Sequence, residues 1–159
     1  MNEVIILLGS NINPRENIKK CLFLLNEEIC ISTYSNIWIT QSFGHDGPDF
    51  FNLAILVNTP LDAKTIKTTL IKKIESDLGR IRFKDKYAPR TIDIDIMVFN
   101  DEVIDPDIWN KVFMAVPIAE LKPDLINLKN NQSLEKVAQK LKSSQRAELF
   151  KHPADFFPN

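Results

Sequence analysis

Two aspartates separated by a single residue are the first candidates for chemistry in this sequence. Asp93 and Asp95 lie in an apolar, β-branched run, residues 91–99, that is predicted to be a strand. Strand side chains alternate between two faces, so both carboxylates point to the same side. Their Cα atoms are then about 6.5–7 Å apart. This spacing lets the two carboxylates converge on one or two Mg²⁺ ions.

The two faces of this strand differ in character. The face opposite the aspartates is predicted to lie in the core, and it carries Ile92, Ile94, Ile96 and Val98. Met97 and Phe99 are predicted to continue the aspartate face, so that face is not simply solvated. The alternative is an ordinary solvent-facing strand with two acidic residues.

A basic segment stands directly upstream of the aspartates. It carries Arg80, Arg82, Lys84, Lys86 and Arg90. By itself such a run is typical of a solvated loop. Next to two carboxylates it favours a metal-bound polyphosphate, because Mg²⁺ shares its ligands with phosphate oxygens and arginine offers bidentate contacts to the remaining oxygens.

A cluster of aromatic residues supplies a second part of a site. Phe43, Phe50 and Phe51 lie around a glycine-containing loop together with Asn52. A flat heteroaromatic ligand could stack on such rings while an amide binds its edge. Phe51 alternates with Leu53 and is predicted to be core. Phe50 and Asn52 share the other face, where a site role and plain packing are both open.

Composition excludes several classes of protein. The 159 residues carry 20 basic and 21 acidic side chains, a formal net charge of −1, which argues against a general nucleic-acid binder. The four glycines leave no dinucleotide fingerprint and no P-loop. No run is apolar enough for a membrane span or a signal peptide, and the two cysteines are expected to be reduced. We therefore expect a cytoplasmic protein with one domain over residues 1–159.

The order of predicted elements indicates the fold class. A strand at residues 4–8 turns at Gly9 and leads into a helix with Asn13 as its N-cap. A strand over 30–40, a loop over 41–48, a strand over 49–58 and a helix that ends at Gly79 follow. After the basic segment come the aspartate strand, a short helical turn at 116–121 and a helix over 133–142. This order predicts an α+β fold, a ferredoxin-like antiparallel sheet with helices on both faces.

Together these residues resemble the 6-hydroxymethyl-7,8-dihydropterin pyrophosphokinase family of folate biosynthesis. The resemblance extends from residue 4 to about residue 125. It implies a three-layered α/β/α sandwich and the transfer of pyrophosphate from Mg-ATP to the hydroxymethyl group of the pterin. The motifs that carry it are Leu8-Gly9-Ser10-Asn11, Pro48-Asp49-Phe50-Phe51-Asn52, Leu78-Gly79-Arg80-Ile81-Arg82 and Pro89-Arg90-Thr91-Ile92-Asp93-Ile94-Asp95.

The resemblance also implies roles for individual residues. Asp93 and Asp95 correspond to the ligands of two Mg²⁺ ions, and Asp95, Arg80 and Arg90 to catalytic positions. The pterin-binding positions are Thr40, Phe43, Phe50, Asn52 and Phe113. The ATP-binding positions are Arg80, Arg82, Arg90, Lys111, Glu75 and Tyr87, although a solvated helix residue for Glu75 and a packed loop aromatic for Tyr87 remain open. We expect a monomer whose partners are ATP and the pterin.

Two other interpretations remain. The segment 100–110 is shorter than is usual in the family and lacks histidine, and Lys111 stands where an arginine is common. A catalytically altered or inactive homologue that binds a pterin or a nucleotide would also fit these departures. The third interpretation, an RNA-binding ferredoxin-like module, is disfavoured by the near-neutral charge and the paired aspartates.

Overall fold

A computed structural model describes residues 1–42 and 46–156 of the chain. Within them, seven strands form one sheet: Asn2–Ser10 (β1), Cys30–Tyr34 (β2), Ile37–Thr40 (β3), Phe50–Thr59 (β4), Asp93–Phe99 (β5), Glu102–Val103 (β6) and Ala147–Lys151 (β7). The helices are Pro14–Glu28 (α1), residues 63–77 (α2), Val112–Leu121 (α3) and Leu134–Lys142 (α4), with 3₁₀ turns at Pro106–Trp109 and Pro153–Phe156. No helix among these residues is long and apolar enough to cross a membrane.

The sheet is antiparallel throughout and β1 runs through its middle. The strand order is β6-β5-β1-β4-β3-β7, and β2 pairs with β4 beyond the end of β3. β1 pairs with β4 on one side and with β5 on the other. Its side chains from Val4 to Leu8 are buried on both faces, which agrees with the continuous apolar run in the sequence.

Helices cover both faces of the sheet, as the α+β prediction requires. Val4, Ile6 and Leu8 pack in one cluster with α1 and α2, whereas Ile5 and Leu7 pack in a second cluster with α3 and α4. Successive residues of the central strand therefore belong to different cores. We call these the α1/α2 face and the α3/α4 face.

Strand β5 contains a bulge that changes the predicted faces. The pairing with β1 shifts between Ile5 and Ile6, opposite Met97. Met97 and Val98 both pack in the α3/α4 core, and Phe99 packs against the α1/α2 core. The prediction that Val98 shares a face with Ile96 and that Phe99 shares a face with Asp95 is therefore wrong. The extra residue of a bulge reverses the alternation that follows it.

Other departures concern short elements and local caps. Residues 30–40 form two strands, and between them the Ser35 hydroxyl accepts a hydrogen bond from the Ala54 backbone N–H. Asn13 occupies the N-cap position ahead of Pro14, as predicted, but it adopts a left-handed conformation, φ 40°, and its side chain makes no capping hydrogen bond among the described residues. Gly79, with φ 75°, ends α2 as predicted.

Helix α2 has an unusual middle turn. Its α-helical ends, Ala63–Thr65 and Lys72–Asp77, flank a π-helical segment, Ile66–Ile71. The regular spacing of Ile66, Leu70 and Ile74 predicted a plain α-helix, and all three are buried as that spacing requires.

Candidate functional site

The candidate site lies at one end of the sheet, on the α3/α4 face. Pairing places Gly9 of β1 opposite Asn52 of β4 and opposite Asp93 of β5. Leu7 lies opposite Asp95, and Thr40 of β3 lies opposite Phe50. Because paired residues share a face in an antiparallel ladder, the register brings the predicted residues of three separate sequence segments together around β1.

One side of the site is built on the strands, and we call Gly9, Thr40, Phe50 and Asn52 the sheet wall. The Asn52 side-chain amide donates to the Thr40 hydroxyl at 2.6 Å, and both residues are about 2% exposed. A Cβ on Gly9 would lie 3.1 Å from Asn52 Oδ1 and 3.7 Å from the Phe50 ring. The missing side chain of Gly9 therefore leaves room for the amide to face the site.

The sheet wall borders a cavity of about 230 Å³, which we call the aromatic cavity. Rings of Phe50, Tyr87 and Phe113 line it, together with Asn52 and Thr40. Phe51 points the other way, packing against Phe150 with 4.7 Å between ring centroids. The prediction that these neighbouring phenylalanines lie on opposite faces of β4, with Phe51 in the core, is confirmed. Three rings beside an oriented amide suit a flat heterocycle with polar edges.

The opposite side of the site is formed by residues 80–90, which we call the loop wall. Arg90 donates to Asp93 Oδ2 at 2.9 Å and to the Lys86 backbone carbonyl, and its guanidinium lies 5.9 Å from the Phe50 ring centroid. Arg80 is nearly buried, with its side chain 9% exposed. It donates to the Ile92 carbonyl at 3.0 Å and lies 3.5 Å from Asp93 Oδ1.

Glu75 connects α2 to both the loop wall and β5. Its carboxylate accepts from the Ile94 backbone N–H at 3.1 Å and from Arg82 at 3.0 Å. Glu75 is 5% exposed, which contradicts its interpretation as a solvated helix residue. Burial raises the pKa of Glu75 above its usual value, opposed by the bond from Ile94. Ile94 lies between Asp93 and Asp95 in the sequence. Its bond to Glu75 therefore holds in place the part of β5 that carries both aspartates.

The two aspartates have different electrostatic surroundings. Asp93 is held by Arg80 and Arg90. Asp95 accepts no hydrogen bond from any residue in 1–42 and 46–156. Solvent reaches its carboxylate, yet surrounding protein removes much of its hydration. This desolvation, followed by the negative charges of Asp93, Glu75 and Asp105, raises the pKa of Asp95 to about 7.

Two further cavities meet the aromatic cavity at Asp95. A cavity of about 330 Å³, which we call the basic cavity, lies beneath the loop wall and is lined by Arg80, Ile81, Arg82, Phe83, Asp85, Lys86, Ala88, Arg90, Asp93 and Asp95. An aliphatic cavity of about 520 Å³ runs between α2 and β5 and is lined by Ala63, Lys64, Lys67, Ile71, Ile94, Asp95, Ile96, Ile104, Asp105 and Pro106. Asp95 is the one described residue that lines all three.

The donor set at this junction fits Mg²⁺. Within residues 1–42 and 46–156, no three His, Cys, Asp or Glu side chains gather into a metal-binding cluster. The protein therefore offers two carboxylates, those of Asp93 and Asp95. Mg²⁺ is usually bound by one or two protein carboxylates, and water and substrate phosphates supply its other ligands. The Asp95 carboxyl group accepts no hydrogen bond from the described residues, and it lies where a cation would relieve the repulsion from Asp93, Glu75 and Asp105.

The structure brings most of the predicted site residues together. Phe50, Asn52, Thr40, Phe113, Tyr87, Lys111, Arg90, Asp93 and Asp95 line the aromatic cavity, and Arg80 and Arg82 line the basic one. Lys111 also pairs with Asp107 at 2.9 Å. Glu75 lines neither cavity. It affects the site through its hydrogen bonds with Ile94 and Arg82. Phe43 falls outside the described residues.

Sequence reasoning missed several residues of the site. Gly9 was predicted as a turn but belongs to β1, and a glycine within a strand marks a close approach. Lys86 was recognised as part of the basic segment, but it was not predicted to line the aromatic cavity beside Phe50. Asn11 contacts the ends of two other segments, which no local pattern indicates.

Comparisons with known proteins agree with this geometry. The model of the family described as 7,8-dihydro-6-hydroxymethylpterin-pyrophosphokinase (HPPK) matches residues 5–123. A relative from Bacillus subtilis, 2-amino-4-hydroxy-6-hydroxymethyldihydropteridine pyrophosphokinase, is 33% identical over 132 residues, covering 76% of this chain and 78% of the relative. The Aquifex aeolicus protein of the same name is 31% identical over 137 residues, covering 80% of this chain and 84% of the relative.

Solved structures support the fold alone. The wild-type Plasmodium falciparum HPPK-DHPS crystal structure aligns with a TM-score of 0.70 at 13% identity, covering 89% of this chain. This chain spans 45% of that longer protein. The family model covers most of the chain and the curated relatives match along most of their own length. The chain therefore belongs to the 7,8-dihydro-6-hydroxymethylpterin-pyrophosphokinase family.

Proposed function

We propose that the chain transfers pyrophosphate from Mg-ATP to the hydroxymethyl oxygen of 6-hydroxymethyl-7,8-dihydropterin, with release of AMP, in folate biosynthesis. One observation carries the proposal: an aromatic, a basic and an aliphatic cavity meet at Asp95. A heterocycle, a polyphosphate and a nucleoside need these three environments. The proposal also includes action as a monomer and a ferredoxin-like core in a three-layered sandwich.

The aromatic cavity suits the pterin. Phe50 and Phe113 offer ring faces for stacking, and Asn52 presents its amide oxygen beside Gly9. The Asn52 amide nitrogen is already used in the bond to Thr40, so its orientation is fixed before a ligand arrives. The oxygen of an amide held in this way accepts hydrogen bonds from donors on the edge of a flat ring. This contact provides selectivity as well as affinity.

The other two cavities suit ATP. Arg82 and Lys86 are exposed cations above the basic cavity, and Arg90 reaches Asp93 from the same side, so a triphosphate would lie among them. Ile71, Ile96 and Ile104 line the aliphatic cavity on the far side of Asp95, where they offer apolar contact to a purine. This arrangement directs the phosphate chain from the purine toward the pterin.

Asp93 and Asp95 are the residues that would hold two Mg²⁺ ions. When bound, the metal supplies charge neutralisation for the triphosphate and polarisation of the attacking hydroxyl. Arg80 and Arg90 hold Asp93 in place in the protein alone, so that carboxylate is oriented in advance. Asp95 has no such partner among the described residues and remains available to the substrates.

The reaction forms one bond and breaks one. The hydroxymethyl oxygen bonds to the β-phosphorus of ATP, and the bond from that phosphorus to the α–β bridging oxygen breaks, so AMP leaves with its electron pair. The hydroxyl proton passes to Asp95 or to water. Positioning of the two reactants and the charges around them supplies most of the acceleration in phosphoryl-type transfer. The two walls perform this positioning, each holding one reactant at Asp95.

A direct assay tests the proposal. The protein is incubated with Mg-ATP and the reduced hydroxymethylpterin, and AMP and the pterin pyrophosphate are separated by chromatography. We expect equal amounts of the two products, formed only when the pterin is present. Absence of AMP at every Mg²⁺ concentration would overturn the proposal. Pterin binding without AMP would instead support the altered homologue, a possibility motivated by Lys111 and its ion pair with Asp107.

A further inference from the structure

Asp105 belongs to a short segment that lines the aliphatic cavity together with α2 and β5. It precedes Pro106, and a residue before proline is disfavoured in helical conformation. The Asp105 backbone is accordingly extended, with φ −112° and ψ 111°, and the residue caps the 3₁₀ turn Pro106–Trp109. Its Oδ1 accepts a hydrogen bond from the Asp107 backbone N–H at 2.9 Å. One oxygen of the carboxylate is therefore held by the turn that follows.

The hairpin of β5 and β6 determines which part of the cavity Asp105 adjoins. The Ile104 backbone N–H donates to the Met97 carbonyl at 2.9 Å. Because the two strands are antiparallel, the next residues after Ile104 run back along β5 toward Asp95. Asp105 therefore lies between the apolar part of the cavity, at Ile96, and the junction of the three cavities at Asp95.

The second oxygen of the Asp105 carboxylate is available to a ligand. In the described part of the chain, no donor bonds to Asp105 Oδ2, and no ion pair joins it to Lys64 or Lys67, which line the same cavity. Among those residues Asp105 also forms no metal-binding cluster with Asp93 and Asp95. A half-buried carboxylate with one oxygen held and the other unused is an oriented acceptor for a hydroxyl group.

We propose that Asp105 binds a ribose hydroxyl of the nucleotide and makes the site selective for ribonucleotides. The proposal rests on the proposed function, in which the purine contacts Ile71, Ile96 and Ile104 and the triphosphate lies in the basic cavity. The ribose joins the purine to the phosphates, so it lies between these places, beside Asp105. Acidic side chains bind ribose hydroxyls in the same way in dinucleotide-binding folds. A hydrogen bond to a charged acceptor contributes roughly 10–100-fold in affinity.

Calorimetry without the pterin measures this selectivity as a ratio, since no acceptor is present to consume the nucleotide. The dissociation constant of Mg-2′,3′-dideoxy-ATP is divided by that of Mg-ATP, in wild type and in Asp105→Ser. The serine hydroxyl replaces the oxygen that caps the turn at Asp107, but it provides no second oxygen for the ribose. We expect a ratio of at least about 10 in wild type and a ratio near 1 in Asp105→Ser.

Asp62→Ser is the matched control. Asp62 is also a capping aspartate, which accepts a hydrogen bond from the Thr65 backbone N–H at 2.7 Å at the start of α2. It adjoins the aliphatic cavity in sequence but does not line it. We expect the wild-type ratio in Asp62→Ser. Melting temperatures of both variants check that the serine caps preserve the fold.

The remaining outcomes separate this inference from the proposed function. If Asp105 acted only by its charge or by holding its turn, Asp105→Ser would change the affinity for both nucleotides equally. An unchanged ratio would therefore overturn the inference, as would a loss of selectivity in Asp62→Ser. AMP formation by a wild type whose ratio is 1 would overturn the inference and leave the proposed function in place.

The opposite result is equally distinct. If Asp105→Ser abolishes a wild-type ratio of about 10 but wild type forms no AMP with the pterin, the ribose contact is supported and the proposed transfer is wrong. If wild type binds neither nucleotide, both are wrong.

Discussion

The two walls of the site are made in different ways. In the sheet wall, Thr40 and Asn52 are almost fully buried, lie on paired strands and bond to each other. In the loop wall, Ile81 is 65% exposed and Phe83 is 58% exposed. The Arg80 side chain, by contrast, is only 9% exposed. A rigid heterocycle can be recognised by groups whose positions are fixed before it binds. A flexible, charged triphosphate is better bound by side chains that adjust to it.

Replacing Asp95, which lies between the walls, is expected to have the largest effect. Asp95→Asn keeps the size of the side chain but removes the carboxylate that both walls share. We expect kcat for AMP formation to fall at least about 100-fold, the scale of losing one group that stabilises charge in a transition state. We also expect a higher melting temperature, because the lost charge is repelled by Asp93, Glu75 and Asp105 and accepts no hydrogen bond from the described residues.

Asp124→Asn is the control for that change, since Asp124 is exposed and lies away from the three cavities. Its kcat and melting temperature should match wild type. If Asp95→Asn kept the wild-type kcat, the Asp95 carboxylate would not be needed for the reaction between the ligands of the two walls.

The second prediction concerns what anchors the loop wall. Arg80→Ala removes a side chain that is 9% exposed and binds Ile92 and Asp93, so we expect a loss of about 2 kcal/mol in the free energy of unfolding. Arg82 is 71% exposed, so Arg82→Ala should cost less than about 1 kcal/mol, although it leaves Glu75 with only its Ile94 bond. Urea denaturation measures both.

The opposite ranking of these two variants would place the anchor of the loop wall at Arg82 and Glu75. Equal losses would mean that the loop wall has no single anchor, and the contrast with the sheet wall would weaken.

The third prediction concerns the preformed sheet wall, and two glycines provide the comparison. In Gly9→Ala the new Cβ would crowd Asn52 Oδ1 at 3.1 Å, so we expect KM for the pterin to rise about 10-fold with KM for ATP nearly unchanged. Gly79→Ala meets no atom within 4 Å but must keep φ at 75°, so it should lose about 1 kcal/mol of stability and leave KM for the pterin unchanged. Steady-state kinetics and urea denaturation separate the two effects.

If Gly9→Ala binds the pterin normally, the Asn52 amide moves more freely than its buried bond to Thr40 indicates. The sheet wall would then resemble the loop wall in how it receives its ligand.

The sequence predicts the parts of this site better than the contacts between them. Period-two alternation assigns Phe51 to the core and Asp93 with Asp95 to one face, because these depend on local geometry. It does not predict the bulge at Met97, which depends on how β1 pairs with β5. Nor does it predict the burial of Glu75, which follows from the distant Ile94 N–H. Strand β6, with two residues, is too short to be recognised without its partner, and β7 was not predicted.

The bulge in β5 has a consequence for how the family can vary in length. Met97 is one residue more than the pairing with β1 requires, since Ile96 and Val98 already face successive residues of that strand. A gene that lost the Met97 codon would encode a regular strand in which Asp93, Asp95, Val98 and Phe99 keep their present faces, at the cost of a void where a fully buried side chain had been. Single-codon deletions should therefore be tolerated at Met97, or at Val98 on the same face, more readily than at Ile96, whose loss would move Met97 to the opposite core.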